Sequence, residues 1–533
     1  MSRFLKWAFA AQLVGCAFLT ASAQLPNCPL RPNSGTVVLD PLSLTSVNGT
    51  LSVALTERNA ADSAGIMHYC FDYSTSNGDV EAPILRLNPG DTLVLDLTNQ
   101  LNLLGNGAAS AHHSHMDGMA ATEPASTDPC KSTVVNLNTT NIHFHGLNIP
   151  PKCHQDDVVN TLIQPSKVPF RYSLQIPANE PPGLYWYHPH PHGLTGLQVG
   201  GGASGVIVIG GIEKIKPQVT GLTERVFILR QQFTTGGDET GVQTTLNFQP
   251  AIFPKAPSPI IQMKPGEKQF WRVLNSTSNQ FLALQLLFGS TPQSMEVISL
   301  DGVPVTGDPT ATTINVPPAG RAEFIVTGPP TGTAATFYTA GFDTGPVGDS
   351  VPPQVLADVV ATANPVQASA PVAPTTALPS VTQRFSGLAA IKPVATRKLY
   401  FSEAFSGTVD PPNFFITVDG QQPKLFKMSE PPAIVTKVGA VEDWTIENRT
   451  SEMHAFHMHQ IHFLVTAIDG VAVQNPTLQD TIAVPYWPGK GPYHNVTLRM
   501  DFRDSNIAGT FLYHCHILDH EDHGMMAKIR VDP

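Results

Sequence analysis

This chain has few charged residues. Charged side chains make up only 14% of its 533 residues, and the formal net charge is −11, with no basic block along the sequence. A surface that attracts nucleic-acid phosphates or an anionic membrane needs clustered lysine and arginine. We therefore expect neither nucleic acid nor an anionic membrane surface to be a partner.

Long apolar runs are also missing after the N-terminal segment, so we expect no membrane span. Residues 1–23 combine Arg3 and Lys6 with an apolar run that ends at Ala21–Ala23. This is the pattern of a signal peptide cleaved before Gln24. Leu13–Cys16 resembles a lipoprotein cleavage box, but the apolar run continues past it, which favours simple secretion. We expect a secreted or periplasmic protein.

Cysteine is scarce, with six in the whole chain. Removal of the signal peptide leaves Cys28, Cys70, Cys130, Cys153 and Cys515. Export permits disulfides, so we predict two bridges among the first four, and the three possible pairings stay open. The thiol that is left over is then available as a metal ligand.

What the sequence does have is strand-like segments. Short runs of Val, Thr, Ile, Leu and Phe alternate with turn residues, and 48 Pro and 42 Gly are spread along the chain. This pattern predicts an all-β protein. The length exceeds that of a single core and suggests about three domains. We place the domains at residues 24–212, 213–364 and 397–533, with a Pro/Ala/Thr-rich linker at 365–396.

The first domain contains an insertion at residues 101–131 that is rich in His and Met. Its side chains either bind additional metal or belong to a polar loop, and its Gly/Ala/Ser content favours the loop. The sequence does not decide between the two. The residues concerned are His112, His113, His115, Met116 and Met119.

Histidines separated by one residue are the strongest internal pattern. The 19 histidines would form about one such pair or fewer by chance. Four pairs lie in strand-like contexts, and on a strand each pair presents two imidazoles to one face. Imidazole is a ligand for copper, zinc and iron. The pairs are His143/His145, His188/His190, His457/His459 and His514/His516, whereas His154 and His462 lack this spacing and are predicted to be structural.

The last of these pairs has Cys515 at its centre. Strand alternation points Cys515 away from His514 and His516, and it likewise points His454 away from His457 and His459. One side then collects a thiolate, imidazoles and the thioether of Met525, which is the donor set of a blue copper site. The other side collects eight imidazoles, enough for a three-metal cluster between the first and third domains. Cys515 would connect the two by covalent bonds.

Four segments carry a resemblance to a known family. His143–Gly146 matches the pattern HxHG, and Trp186–His190 matches WYHxH. His454–His459 matches HPxHxH with Ala455 in place of the usual Pro, and His514–Met525 matches HCHxxxHxxxGM. In this order they resemble the multicopper oxidases with three cupredoxin domains, such as laccase, ascorbate oxidase, bilirubin oxidase and cuprous oxidase. The resemblance covers essentially the whole mature chain and implies three consecutive cupredoxin-like Greek-key β-sandwich domains.

The resemblance also implies four copper ions with assigned ligands. A type 1 copper would lie on His454, Cys515 and His520, with Met525 axial. A type 2 copper would lie on His143 and His457. A type 3 pair would be held by His145, His188, His190, His459, His514 and His516. The second domain would bind no copper and act mainly as a spacer that shapes the substrate face.

Two carboxylates are candidates for supplying protons. Glu521 matches a position where related bacterial enzymes keep an acid near the oxygen site. Asp156 resembles the family's acid near the type 2 copper, although the adjacent Asp157 fits the spacing as well. Both are predicted as catalytic residues.

The implied reaction couples four one-electron oxidations to the reduction of dioxygen to two water molecules. We expect a laccase-like oxidase of phenols or aromatic amines. The alternatives are an oxidase of Cu(I), Fe(II) or Mn(II) and a non-catalytic copper-binding protein. An acidic or Met-rich patch beside His520 would favour metal ions, whereas a broad apolar cleft would favour phenols. A monomer is the simplest expectation for the oligomeric state.

Overall fold

The computed structural model describes residues 28–103, 126–234, 241–366, 384–404 and 412–533. The predicted signal peptide, the His/Met residues of the insertion and most of the predicted linker lie outside these described residues, so those interpretations stay predictions.

Six sheets, packed in pairs, make up the described part of the chain. The first pair spans residues 43–209 and encloses an apolar core with Leu93, Leu95 and Tyr172. Its sheets have the orders β1-β5-β10-β9-β7 and β4-β3-β2-β6-β8. The strands are β1 Ser43–Thr45, β2 Thr50–Ala61, β3 Met67–Thr75, β4 Gly78–Glu81, β5 Ile84–Leu87, β6 Thr92–Asn99, β7 His143–His145, β8 Phe170–Gln175, β9 Gly183–His188 and β10 Gly205–Ile209.

The second pair of sheets spans residues 223–361 around Trp271, Phe324 and Phe337. Its main strand orders are β13-β12-β11-β15-β22-β18-β19 and β14-β24-β23-β16-β17. The strands are β11 Thr223–Phe233, β12 Val242–Leu246, β13 Gln249–Pro250, β14 Ile260–Met263, β15 Lys268–Ser276, β16 Leu282–Phe288, β17 Thr291–Pro292, β18 Met295–Leu300, β19 Val303–Pro304, β20 Thr310–Ala311, β21 Ile314–Val316, β22 Arg321–Thr327, β23 Ala335–Ala340 and β24 Gln354–Ala361.

The third pair spans residues 395–532 around Trp444, Phe456 and Tyr513. Its main strand orders are β26-β25-β28-β34-β30-β31 and β27-β36-β35-β29-β33. The strands are β25 Ala395–Ala404, β26 Asn413–Val418, β27 Ile434–Lys437, β28 Ala440–Asn448, β29 His454–Met458, β30 Phe463–Ile468, β31 Val471–Ala472, β32 Leu478–Gln479, β33 Thr481–Val484, β34 Asn495–Phe502, β35 Gly509–Cys515 and β36 Met526–Asp532.

The strands pack as sandwiches because alternate side chains are apolar. In β6 the inward-facing leucines are buried while the intervening side chains stay partly exposed, which is the period-two pattern of a half-buried strand. Strands that neighbour each other in a sheet are often distant in sequence, as in β5-β10-β9, so the chain crosses between sheets as a Greek key does. The all-β fold of three β-sandwiches predicted from the sequence is confirmed, whereas its exact domain boundaries remain predictions.

Helices are few and short. The α-helices are α1 Thr195–Gly201, α2 Ile212–Ile215 and α3 Leu518–Asp522, and 3₁₀ turns cover Pro129–Lys131, Pro217–Val219, Leu388–Ala390 and Ser505–Ile507. None of the helices in the described ranges has the length and apolarity needed to cross a membrane.

Two disulfides join the four cysteines whose pairing the sequence left open. Cys28 bonds Cys70, and Cys130 bonds Cys153. Cys515 is free and buried. The structure thus selects one of the three pairings, and the predicted metal ligand Cys515 is not part of a disulfide.

Candidate metal centres

Eight buried imidazoles converge between the first and third sandwiches, and we call them the histidine cluster: His143, His145, His188, His190, His457, His459, His514 and His516. The first and the third sandwich each contribute four of these histidines. Among the described residues, several triads of cluster histidines bring their ligand nitrogens within 4.8 Å of one another. They include His143/His145/His188, His143/His457/His459 and His190/His459/His514.

Strand pairing places the histidines of each sandwich. In the first sandwich β7 pairs with β9 so that His143 lies opposite His188. In the third, β29 pairs with β35 so that His457 lies opposite His514. The second histidine of three pairs lies just beyond its strand, where the chain leaves the sheet toward the interface. The His-x-His spacing therefore positions imidazoles at the strand ends that meet there.

Across the interface the rings pack face to face. The ring of His143 stacks on that of His459 with centroids 3.8 Å apart, and His145 stacks on His457 at 3.9 Å. His516 lies near the rings of His145 and His457, at 5.2 and 5.4 Å. The cluster thus interlocks the two sandwiches, and neither of them forms it alone.

The nitrogens in the cluster are suited to a metal rather than to hydrogen bonding. Nε2 of His143, His188 and His457 is buried without a hydrogen-bond partner. Burial, reinforced by neighbouring imidazoles, lowers the pKa of six members well below the ordinary histidine value. Neutral imidazoles with free lone pairs are the form that binds metal. The six are His145, His188, His190, His457, His459 and His516.

Asp156 orients the first histidine of the cluster. Its buried carboxylate lies 3.0 Å from Nδ1 of His143 and accepts hydrogen bonds from the Phe144 amide at 2.9 Å and from the Gln460 side chain at 2.5 Å. Donation from Nδ1 leaves Nε2 of His143 as the lone pair facing the cluster. Asp157 instead bonds Asn160. The structure therefore separates the two aspartates that sequence spacing left equivalent.

Glu521 reaches the opposite side of the cluster from helix α3. Its side chain is fully buried, with one oxygen 3.2 Å from Nδ1 of His514 and the other 3.5 Å from Nε2 of His190. Burial, together with the nearby charge of Asp522, raises the pKa of Glu521 well above the ordinary value. A carboxyl group that holds a proton beside the cluster can deliver it there.

A second donor set lies within the third sandwich alone; we call His454, Cys515, His520 and Met525 the cysteine site. Nδ1 of His454 lies 3.2 Å from Nδ1 of His520, and Sγ of Cys515 is 3.6 and 3.8 Å from these atoms. Met525 is buried, and its backbone bonds both Cys515 and His520.

The donors of the cysteine site fit copper. Burial raises the pKa of the Cys515 thiol, so that its ionisation requires a compensating cation. Two imidazole nitrogens and a buried sulfur converge as the blue-copper donor set requires. Cys515 is joined through the backbone to His514 and His516 of the cluster, as strand alternation predicted.

Carboxylates meet the outer edges of both imidazoles of this site, a feature that the motifs did not reveal. Glu403 lies 3.4 Å from Nε2 of His454, and Glu452 lies 3.1 Å from Nε2 of His520. Burial and the adjacent Glu403 raise the pKa of Glu452 to about 10. Burial opposes ionisation of Glu403 too, but hydrogen bonds with His454 and Glu452 lower its pKa.

All twelve predicted metal ligands and both predicted acids lie at one of the two sites. The two histidines predicted to be structural stay outside them: Nε2 of His462 bonds the Asp301 carbonyl at 2.7 Å, and Nδ1 of His154 bonds the Arg171 carbonyl at 2.7 Å. The sequence missed Glu403, Glu452 and Asp480, because nothing in their local spacing links them to the motifs.

Comparison with known proteins agrees with this geometry. Three family models described as multicopper oxidase match residues 133–213, 223–347 and 402–533, which together make up more than half of the chain. A multicopper oxidase of Staphylococcus aureus is 24% identical over 471 residues, covering 85% of this chain and 83% of the relative.

Solved structures show the same fold. A multicopper oxidase from Campylobacter jejuni, described as a metallo-oxidase, has a TM-score of 0.66 at 21% identity over 94% of this chain and 96% of its own. The multicopper oxidase McoA of Aquifex aeolicus has a TM-score of 0.65 at 19% identity over 94% of this chain and all of its own. With its three matching domains and its copper-type donor sets, the chain belongs to the multicopper oxidase family, whose members are copper-dependent oxidoreductases that use dioxygen as the electron acceptor.

Proposed function

We propose that this protein holds four coppers and couples four one-electron oxidations to the reduction of dioxygen to two water molecules. The four residues of the cysteine site, Met525 included, would hold the type 1 ion. His143 and His457 would hold the type 2 ion, and the other six cluster histidines the type 3 pair. When bound, these ions supply one-electron acceptance at one site and four-electron delivery to dioxygen at the other.

The chain itself connects the two sites and manages protons. Cys515 lies between His514 and His516, so covalent bonds link the thiol to the cluster. Glu521 is buried against His190 and His514, and burial raises its pKa and so favours the protonated form, which suits a proton donor during oxygen reduction. Asp156 would keep His143 in the tautomer that presents Nε2.

The reductant we propose is a transition-metal cation such as Cu(I), Fe(II) or Mn(II). The observation that carries this choice is the carboxyl pair Glu403 and Glu452 at the outer edges of the imidazoles. Two further acids, Asp349 and Asp519, lie close enough to Glu452 for their charges to raise its pKa, and Asp349 is solvent-exposed. Acidic groups between the surface and His520 attract a cation and bring it beside the imidazole through which its electron would reach a copper bound at the cysteine site.

Phenols, which the sequence alone favoured, remain the second candidate. Phe414 stacks on the ring of His520 with centroids 4.1 Å apart, which gives this edge an apolar side. A carboxylate at Glu403 or Glu452 would accept the proton that a phenol loses on oxidation.

Glu403→Gln separates the two candidates, because the pKa of Glu403 is lowered while that of Glu452 is raised, so Glu403 is the member of the pair that carries the negative charge. Oxygen uptake by copper-loaded protein is measured with Fe(II), Cu(I) and a neutral phenol, with the surface variant Asp96→Asn as control. Loss of the negative charge should raise KM for the metal ions about tenfold, the equivalent of about 1.4 kcal/mol, and leave that for the phenol nearly unchanged. Equal losses for all reductants would favour phenols, and copper-loaded wild type without a blue band or oxygen uptake would refute the oxidase itself.

We also propose that the protein acts outside the cytoplasm. The disulfides Cys28–Cys70 and Cys130–Cys153 support export to an oxidising compartment, in line with the signal peptide predicted over residues 1–23. Sequencing the N-terminus of protein from the extracellular or periplasmic fraction tests this, with Gln24 as the expected first residue.

A further inference from the structure

Arg321 of the second sandwich extends to the histidine cluster, although that sandwich contributes none of the cluster's histidines. It is the first residue of β22 and is fully buried. Its guanidinium donates to both carboxylate oxygens of Asp480, at 2.7 and 2.5 Å. It also donates to the Asp301 carbonyl at 2.9 Å and to the Leu184 carbonyl at 3.3 Å. One side chain thus ties all three sandwiches together.

Asp480, the partner of Arg321, in turn contacts two histidines of the cluster. Its carboxylate lies 3.2 Å from Nε2 of His145, and its carbonyl lies 2.8 Å from Nδ1 of His457. One aspartate therefore accepts from a histidine of the first sandwich and from a histidine of the third. These are the two imidazoles that stack on each other at 3.9 Å.

These contacts select which nitrogen each imidazole offers to a metal. If Nε2 of His145 donates to Asp480, its lone pair is at Nδ1, which is buried without a hydrogen-bond partner. If Nδ1 of His457 donates to the Asp480 carbonyl, its lone pair is at Nε2, which also lacks a partner. Fixing the tautomer and ring plane of a ligand in this way sets its metal affinity.

Gly146 supplies independent evidence that the ion pair lies directly against the ligand strand. A Cβ on this residue would come within 2.6 Å of Nη2 of Arg321 and 2.7 Å of Oδ2 of Asp480. The residue that follows His145 must therefore lack a side chain. The glycine of the HxHG pattern is explained here by the space that the Arg321–Asp480 pair occupies.

The arginine is needed because Asp480 is buried. A carboxylate with no exposed surface is stable only if it is paired and hydrogen-bonded. Burial alone would lower the pKa of Arg321, but the charges of Asp480 and Asp301 raise it above the ordinary value, so the pair is ionic. The bidentate geometry also fixes the plane of the carboxylate, which a single point charge would not do.

We propose that Arg321 is a positioning residue for oxygen reduction: through Asp480 it orients His145 and His457, so that the second sandwich governs the geometry of the copper cluster. This inference rests on the proposed function. It changes the role predicted for the second domain from a spacer to a part of the site.

The test compares three full-length, copper-loaded variants with wild type. Arg321→Met removes both the positive charge and the bidentate hydrogen bonding of the guanidinium group. Arg321→Lys keeps the charge but loses the bidentate geometry. Arg86→Met is the matched control, because Arg86 forms a buried ion pair with Glu224 between the first and second sandwiches. The readouts are copper per chain, the electron paramagnetic resonance spectrum of the type 2 ion, the blue band, and kcat and KM for oxygen uptake.

Arg321→Met should keep the blue band and the KM for the reductant, while the type 2 spectrum changes and kcat falls about 10- to 100-fold. Arg321→Lys should be intermediate, and Arg86→Met should retain the wild-type spectrum. An unchanged type 2 spectrum in Arg321→Met, or the same change in Arg86→Met, would overturn the inference. If Arg321→Met does not fold, an unchanged spectrum in Arg321→Lys overturns it. Wild-type protein that binds no type 2 or type 3 copper would instead refute the proposed function.

Discussion

The two candidate metal centres are built in different ways. The cysteine site lies within the third sandwich, on β29, β35 and the segment that follows, between His454 and Met525. The histidine cluster takes half of its members from the first sandwich and half from the third. The first site forms when one domain folds, whereas the second forms only when two domains dock. Damage to the interface should therefore empty the cluster before it affects the cysteine site.

Cys515→Ser should have the largest effect, because it removes the cysteine-site ligand that is joined through the backbone to two histidines of the cluster. We expect the blue band to vanish and oxygen uptake to fall to background, since a serine hydroxyl is a poor copper ligand and the thiolate link is lost. Copper analysis should still find the cluster ions. A variant that kept the blue band would show that Cys515 is not the thiolate ligand.

Glu521→Gln should slow only the reduction of dioxygen and leave electron entry from the reductant unchanged. The amide keeps the shape of the side chain but has no proton to transfer, so we expect the rate of reoxidation by dioxygen to drop roughly 10²- to 10⁴-fold. Anaerobic bleaching of the blue band by the reductant should be unchanged, because electrons enter at the cysteine site. Slow bleaching with normal reoxidation would assign Glu521 to electron entry instead.

Asp522→Ala should weaken the docking of the two domains. The carboxylate accepts backbone hydrogen bonds from Gly193, Thr195 and Gly196 of the first sandwich, at 3.0, 3.2 and 2.8 Å. Losing charge-assisted bonds of this kind costs about 1.5–3 kcal/mol each.

We expect Asp522→Ala to lose type 2 and type 3 copper while it keeps the blue band, as measured by copper content and spectroscopy. Asp532→Ala, at an exposed pair with Arg530, serves as the control. Loss of the blue band in step with the cluster would contradict the separation of the two centres.

Glu57→Gln should have the smallest effect and concerns the first-sandwich half of the cluster. Glu57 is fully buried and accepts a hydrogen bond from Thr140, near His143; burial raises its pKa to about 8. Between the ordinary value of 4.5 and pH 8, the folded protein keeps this proton and the unfolded chain has lost it. Stability therefore falls as the pH rises through this window and is level above it.

The variant has no proton to lose at this position. As the pH rises from 5 to 8, the melting temperature of the variant should therefore increase relative to that of wild type. The expected increase is about 2–4 °C for each kcal/mol of stability that wild type loses. The measurement is a pair of thermal unfolding series over this range. A constant difference between the two proteins would show that Glu57 ionises at its ordinary pKa.

Sequence periodicity was sufficient where the chemistry is local. Alternation along a strand separates Cys515 from His514 and His516, and this holds in any fold that keeps the strand. The same reasoning assigned His454 to one site and His457 to the other. It could not choose between Asp156 and Asp157, because two adjacent residues in a loop have no fixed orientation until the loop packs.

The sequence by itself thus determined the fold class, the ligand types and their division into two sets, since these depend on residue identity and on spacing within a strand. Only the tertiary structure decided which cysteines pair, which acids face His143 and His520, and that Arg321 reaches Asp480. Arg321 and Asp480 are 159 residues apart and belong to different sandwiches. Contacts of this kind arise from domain docking, which local patterns do not encode.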